Sequence, residues 1–227
     1  MKTFLLLFSL SFLLSASDDV LFALGEKIYK KTCISCHGVD GKAATDVKLV
    51  VMPRSLQTSI LDKEQTYKII KKGSHYWGSA ADIMPAFETV FDEKELRAVA
   101  YYISKKFNPN AEKRVKSEYA KSDSIPQKKL SKMHKRGAKI YKRNCSWCHG
   151  LTGKGDGEAT RNPEKSIYPY DLGKTLLTKK QMFLYAKHGG KFWGTNKDDM
   201  PSWSRKYDDY TLKSVALYID ETFRKEH

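Results

Sequence analysis

The sequence predicts an all-α protein made of two similar domains in tandem, and three observations lead to this fold class. Apolar residues recur at helical spacing, no stretch alternates as a strand would, and the chain contains an internal duplication. The segment Gly25–Tyr29 matches Gly137–Tyr141 at an offset of 112, and Met84 matches Met200 at an offset of 116. Solenoid repeats have periods of roughly 20–50 residues, so this much longer period indicates two globular domains.

The N-terminus has the pattern of a secretory signal peptide. Lys2 precedes the apolar run 4–14, and Ser15-Ala16-Ser17 supplies small residues at the expected cleavage point. This run is shorter than the roughly 20 residues that span a bilayer. We therefore expect residues 1–17 to be a cleaved signal peptide and the mature protein to be periplasmic, with an uncleaved anchor as the alternative.

The mature chain is predicted to contain a first domain at 18–107, a basic polar linker at 108–127 and a second domain at 128–227. In each domain, one helix leads into a cysteine motif. A second helix opens with a capping box and closes at a glycine, and a last helix begins at an aspartate N-cap. The residues are Asp62, Gln65, Gly73 and Asp92 in the first domain, and Thr178, Gln181, Gly189 and Asp208 in the second.

All four cysteines lie in two copies of Cys-x-x-Cys-His, the pattern of c-type haem attachment. The copies are Cys33, Cys36 and His37, then Cys145, Cys148 and His149. The two thiols of each copy add across haem vinyl groups, and the adjacent histidine can ligate the iron. Structural zinc would require the two pairs to converge in one fold, and a disulfide framework is typical of smaller, cysteine-rich chains. A thioredoxin-like redox pair needs no trailing histidine. We therefore predict two covalently attached haem c groups.

Met84 and Met200 are the predicted second iron ligands, because no other methionines recur at matched positions. Each precedes a proline, which fixes the local backbone. Thioether ligation beside histidine raises the reduction potential and favours electron transfer. The alternatives are that both methionines are core residues, or that His75 and His188, which do not align with each other, ligate the irons.

The order of these motifs resembles the class I cytochrome c domain, and two such domains in one exported chain are similar to the tandem dihaem cytochromes c. The resemblance covers the mature chain apart from the linker, and it implies a few short helices wrapped round each haem. It also implies that His37 and Met84 ligate one iron, while His149 and Met200 ligate the other.

The resemblance further implies contacts around each haem. In that family a loop proline offers its carbonyl to the ligand histidine, a role that Pro53 and Pro169 would fill, with Trp77 and Trp193 at matched positions near the ligands. The first and last helices are expected to cross at two sets of residues: Gly25, Tyr29 and Tyr102, then Gly137, Tyr141 and Tyr218.

The net charge is +15, and residues 105–143 hold 14 Lys and Arg against three acids. Such a basic region steers a protein toward acidic surfaces. The expected partners are redox proteins with acidic docking surfaces, such as a quinol-oxidising complex, a terminal oxidase or a reductase, and an anionic membrane surface is possible. No nucleic-acid motif is present. A solvated spacer is the alternative interpretation of the basic linker.

Together these features predict an electron carrier and no catalytic residues. If methionine occupies both irons, neither has a position open to substrate. The alternative is a haem enzyme, or the electron-accepting dihaem subunit of an oxidoreductase that acts on peroxide or sulfur compounds. The glycine-rich segment 153–157 lacks the ending of a phosphate-binding loop and is predicted to be flexible.

Overall fold

A computed structural model describes residues 17–43, 53–79, 84–120, 130–161, 168–193 and 200–224. Across these residues the regular secondary structure is entirely helical, which confirms the predicted all-α class. Most of the predicted signal peptide (1–16) and residues 121–127 of the predicted linker lie outside the described residues. In the described part of the chain, no helix is both long and apolar enough to cross a membrane.

The helices occur in the same order in the two domains. In the first domain, α1 (17–28) continues through a π-helical turn (Tyr29–Cys33) into α2 (Ile34–His37), followed by α3 (Lys63–Tyr76) and α4 (Glu93–Phe107). Helix α5 (Ala111–Ala120) follows the first domain. The second domain contains α6 (Leu130–Asn144), α7 (Ser146–His149), α8 (Lys179–His188) and α9 (Asp209–Thr222), with 3₁₀ turns at Glu158–Arg161 and Lys191–Trp193.

The predicted capping boxes begin α3 and α8. Asp62 Oδ1 accepts from the Gln65 amide at 2.8 Å, and Gln65 Oε1 accepts from the Asp62 amide at 3.0 Å. Thr178 and Gln181 make the corresponding pair of bonds, at 3.3 and 2.7 Å. These bonds satisfy amides that a helix N-terminus leaves without an internal partner, so the sequence prediction is confirmed.

The first and last helices of each domain cross at a glycine, as the resemblance implies. A Cβ on Gly25 would overlap the carbonyl of Ala98 in α4, and the Tyr29 and Tyr102 rings lie 5.4 Å apart. Gly137 makes the same close approach to α9, where the Tyr141 ring lies 5.5 Å from a tyrosine at the matched position. Only glycine allows the helices to come this close, so the crossing is confirmed in both domains.

The two domains are joined by reciprocal hydrogen bonds between residues at matched positions. The side-chain amides of Gln65 and Gln181 donate to each other at 2.9 and 2.8 Å. Gln65 also donates to the Leu176 carbonyl, and Gln181 donates to the Ile60 carbonyl, both at 2.7 Å. Both glutamines are buried, so their amides are satisfied by the opposite domain and by their own capping boxes.

The first half of the predicted linker is structured. Helix α5 packs against α8, and its Val115 contacts the hydrophobic core of the second domain. Arg114 donates to the Ser59 carbonyl at 2.7 Å, which connects the same helix to the first domain. The alternative of a purely solvated spacer is therefore wrong for this half, because one face of α5 bridges the two domains.

Candidate haem sites

Each Cys-x-x-Cys-His motif forms one short helical turn that is tied back to the preceding helix. The Tyr29 hydroxyl donates to the Gly38 carbonyl, and the Tyr141 hydroxyl donates to the Gly150 carbonyl, both at 2.7 Å. The two glycines adopt φ values of 72° and 75°, which let the chain turn away directly after the motif histidine. The tyrosines therefore fix the end of each motif.

None of the four cysteines forms a disulfide, and the two pairs belong to different cores. Cys33 packs against the core of the first domain and Cys145 against the core of the second. Burial raises the pKa of Cys33 to about 11 and that of Cys145 to about 12, with the second cysteine of each motif adding to the shift. The pairs do not converge as one zinc site requires, and neutral thiols do not suit thiolate redox chemistry.

Both motif histidines are held in surroundings that keep the imidazole neutral. Burial lowers the pKa of His37 and His149, so each ring has a lone pair available near pH 7. His149 Nδ1 lies 3.2 Å from the Tyr170 carbonyl. A proton assigned to Nδ1 donates to this oxygen and leaves Nε2 to bind iron.

The carbonyl expected from Pro169 is thus supplied by the next residue, Tyr170. The Pro169 carbonyl lies close to Gly155 instead, where a Cβ would approach it to 2.5 Å. In the first domain, burial lowers the pKa of His37, and the backbone of Arg54 raises it against this larger effect. His37 Nδ1 makes no hydrogen bond among the described residues, so the role predicted for Pro53 stays a prediction.

Met84 and Met200 are held by the same main-chain arrangement. Helical geometry breaks at Gly73 (φ 75°, ψ 168°) and at Gly189 (φ 78°, ψ 169°). The next amide then donates to the methionine carbonyl, at 2.9 Å for Met84 and 2.8 Å for Met200. A Cβ on either glycine would lie 2.7–2.8 Å from that carbonyl. Each glycine therefore supplies both the positive φ and the close approach that fix the methionine.

The surroundings of the two methionines suit an apolar cofactor. Met84 packs against the first core, and Met200 lines a cavity of about 330 Å³ with His188 and Phe192. Partly buried thiols, a neutral imidazole and a thioether at the edge of one core are the donors that haem c requires. The residues present therefore fit the group that the motifs imply.

The two histidines considered as alternative ligands, His75 and His188, differ in their surroundings. His75 is exposed, and its Nδ1 lies 3.2 Å from the Ser79 carbonyl, as expected of a loop histidine. His188 ends α8 and stacks on Phe192 with ring centroids 4.6 Å apart, beside Met200 in the cavity. His188 therefore remains an alternative ligand in the second domain.

The tryptophans at matched positions make the same hydrogen bond in the two domains. Trp77 Nε1 donates to the Lys68 carbonyl and Trp193 Nε1 donates to the Leu184 carbonyl, both at 3.0 Å. Lys68 and Leu184 match at the 116 offset, so the two indoles make the same contact with the second helix of their domain. Both tryptophans thus pack on the second helix of their domain.

The glycine-rich loop packs beneath the second motif. The amides of Gly155 and Gly157 donate to the carbonyls of His149 and Cys148, at 2.9 and 3.1 Å. In the first domain the same bond to the motif histidine comes from Ala43, whose φ of 84° is unusual for a residue with a side chain. The loop is therefore part of the site, in contrast to the flexible segment predicted.

Arg54 is a site residue that the sequence pattern does not reveal. Its Nη1 donates to the Tyr185 hydroxyl at 2.8 Å, and its guanidinium lies 4.8 Å from the Tyr170 ring centroid. A side chain of the first domain therefore contacts the residue whose carbonyl faces His149. No sequence motif marks this contact, because it depends on how the two domains pair.

The fold and the paired sites define a c-type cytochrome with two haem-binding domains. The chain belongs to the family described as cytochrome c oxidase, cbb3-type, subunit III, which matches residues 21–103 and 132–219. Family membership confirms the predicted tandem cytochrome c organisation and the two covalently attached haem c groups.

The curated relatives are oxidase subunits. The chain is 25% identical over 201 residues to the cbb3-type cytochrome c oxidase subunit CcoP of Helicobacter pylori (strain 52), covering 88% of this chain and 58% of that protein. It is 24% identical over 199 residues to subunit FixP of Azorhizobium caulinodans, covering 87% and 58%. The chain thus spans under two thirds of the length of these relatives.

A solved structure also resembles the chain. It is a chain of the Kuenenia stuttgartiensis reducing HAO-like protein complex Kustc0457/Kustc0458, with a TM-score of 0.47 and 23% identity, covering 88% of this chain and 96% of that one.

Proposed function

We propose that the protein is a periplasmic electron carrier in which both irons have one histidine and one methionine ligand. His37 and Met84 would ligate the first iron, and His149 and Met200 the second, with Cys33, Cys36, Cys145 and Cys148 holding the porphyrins. The observation that carries this proposal is the identical main-chain bond, in both domains, from the residue after a left-handed glycine to the methionine carbonyl.

The bound haem supplies reversible one-electron chemistry at iron. One histidine and one methionine ligand at each iron would limit the haems to electron transfer, and the Tyr170 carbonyl would orient the His149 imidazole. The thioether ligand and an apolar environment would favour the ferrous state, which suits a high-potential carrier. With both ligand positions filled, substrate would have no access to iron.

The proposed partners are a terminal oxidase as electron acceptor and a quinol-oxidising complex as donor. The named relatives are subunits of a cbb3-type oxidase, which supports the oxidase as a partner. The protein either exchanges electrons with the oxidase by diffusion or stays bound to it. The apolar run 4–14 supports export to the periplasm.

A second candidate function is that of a haem enzyme or an electron-accepting dihaem subunit acting on peroxide or sulfur compounds. This alternative requires a coordination position at iron that substrate can reach. Under this alternative Met200 would leave the iron during turnover.

Mixing the reduced protein with candidate oxidants separates the two functions. We expect a purified cbb3-type oxidase under air to reoxidise both haems rapidly, whereas hydrogen peroxide alone reoxidises them slowly. Stopped-flow absorbance of the haem bands measures both rates. Fast reoxidation by peroxide, with no response to the oxidase, would establish the enzyme alternative.

A further inference from the structure

The helix that leads into the second haem motif carries an unbalanced positive charge. Helix α6 (Leu130–Asn144) contains six Lys and Arg and no Asp or Glu. At the 112 offset, the corresponding stretch 18–32 of the first domain contains three acids and three lysines, so it is neutral. The two domains share their internal contacts, yet this stretch differs between them by six charges.

The positive charges of α6 face solvent. All six side chains are exposed, and among the described residues none of them lies within ion-pair distance of a carboxylate: Lys132, Lys135, Arg136, Lys139, Lys142 and Arg143. Arg136 lies over the Tyr210 ring at 5.5 Å. Hydrogen bonds from Thr211 lower the pKa of Asp208 and Arg136 contributes to this shift, so the charge of Arg136 is partly balanced, while the other five have no such partner among the described residues. In the first domain, by contrast, Lys30 pairs with Glu26 at 3.0 Å. The charge of α6 is therefore available to an external anion.

An exposed apolar pair continues this basic face at the motif itself. Trp147, between the two cysteines of the second motif, is 61% exposed, and Leu151 is 67% exposed. The residues at the same positions in the first domain are Ser35 and Val39, and Val39 is itself 77% exposed, so the difference between the domains is Trp147. An apolar centre beside a charged rim is the usual composition of a protein docking surface, and large exposed aromatic side chains often anchor such contacts.

We propose that the basic face of α6, together with Trp147 and Leu151, is the surface on which an acidic redox protein docks, so that electrons enter or leave through the second haem. This inference rests on the proposed electron-carrier function and specifies which domain meets the partner. Trp147 lies between the two cysteines that hold the haem, so a partner seated on it is separated from the cofactor by a short covalent path.

The other anionic surface that six cations could meet is a membrane, and the packing of α6 disfavours it. A helix that lies in a bilayer interface inserts an apolar face. The apolar face of α6 is already buried against α9 through Met133, Gly137 and Tyr141. Trp147 and Leu151 offer a small apolar area to insert, so charge complementarity with a folded acidic protein is the better fit.

A matched pair of double variants of the holoprotein tests the proposal. Lys142→Glu/Arg143→Glu reverses two charges next to the second motif, and Lys30→Glu/Lys31→Glu reverses the residues at the same positions of the first domain. The probe is reduced plant-type ferredoxin, a small acidic one-electron donor. The second-order rate of haem reduction is followed by stopped flow between low and high ionic strength.

We expect the rate for the natural sequence to fall as salt is added. At low salt the second-domain variant should react about tenfold more slowly with a flatter salt profile, while the first-domain variant stays within about twofold. Trp147→Ala should slow the reaction at all salt concentrations, and Ser35→Ala should not. Unchanged haem spectra and unfolding midpoints show that each variant is intact.

The proposed docking surface would be overturned if both double variants slowed the reaction equally. It would also be overturned if the reduction rate did not depend on ionic strength. A lipid-binding surface would overturn it as well. In that case the natural sequence would sediment with phosphatidylglycerol vesicles, and Lys142→Glu/Arg143→Glu would lose this binding but keep a normal rate with ferredoxin. Failure of the electron-carrier function is recognised separately, by rapid reaction of the reduced protein with peroxide.

Discussion

The two domains are alike where they hold a haem and differ where they meet the surroundings. Gly73 and Gly189 have the same backbone geometry, and so do the tyrosine bonds that end each motif. The exposed face before the motif is neutral in the first domain and carries six positive charges in the second. This contrast indicates that contacts with the haem restrict which residues can occupy the interior of both domains. The surface of each domain is adapted to its own neighbours.

Removing the methionine ligands should have the largest effect and should separate the domains. We expect Met84→Ala and Met200→Ala each to lower the potential of one haem by a substantial part of the roughly 0.8 V range that axial ligands span. Met84→Ala should give a high-spin iron that binds carbon monoxide. Met200→Ala should stay low-spin, because His188 lies in the same cavity. Redox titration and optical spectra measure both effects.

The double variant Met200→Ala/His188→Ala is the control for that difference, and it should be high-spin like Met84→Ala. A low-spin Met84→Ala, or a high-spin Met200→Ala, would contradict a difference between the two methionine sites.

The glycines that hold the methionines should matter equally in the two domains. Gly73→Ala and Gly189→Ala each place a Cβ 2.7–2.8 Å from a methionine carbonyl and force alanine to a positive φ. Each should destabilise its domain by about 1–3 kcal/mol. Each should also weaken the thioether-to-iron absorption of that haem alone. Denaturant unfolding with both haem bands recorded tests this, and a variant that alters neither property would contradict the proposed role.

The reciprocal glutamines should couple the stability of the two domains. Gln65→Ala or Gln181→Ala leaves the other buried amide without its partner and should cost about 1–3 kcal/mol of unfolding free energy. The double variant should cost less than the sum, with a coupling of about 0.5–3 kcal/mol. Strictly additive losses would mean that the amides do not form one contact.

Substitutions in the loop that packs beneath each haem motif should have the smallest effects on stability. Ala43→Gly should stabilise the first domain by about 1 kcal/mol, because it removes a side chain from a backbone with φ of 84°. Gly155→Ala should destabilise the second domain, where a Cβ would lie 2.5 Å from the Pro169 carbonyl. Thermal unfolding of both variants checks the opposite signs. Two shifts of the same sign would show that the loops are not equivalent.

Much of the fold could be predicted from the sequence, because the duplication shows each local sequence pattern twice. The capping boxes, the last-helix N-caps and the helix crossings at Gly25 and Gly137 are confirmed, since each depends on nearby side chains or on one small residue at a contact. In the second domain, the carbonyl that faces the motif histidine is that of Tyr170, one residue after the predicted Pro169, and no sequence motif distinguishes these two neighbours.

The pairing of the domains could not be predicted from the sequence. Gln65 and Gln181 are explained locally as capping-box residues, so nothing in the sequence marks their second role between the domains. Arg54 and α5 are equally ambiguous, because polar and basic residues are typical of a solvated surface. Their contacts with Tyr185 and with the second core become visible only when both domains are placed together.

The optical spectrum of the fully oxidised protein tests the proposed ligation most directly. With His37 and Met84 on one iron and His149 and Met200 on the other, the thioether-to-iron charge-transfer band should have the intensity of two haems. Half that intensity, or none, would contradict closed coordination at both irons.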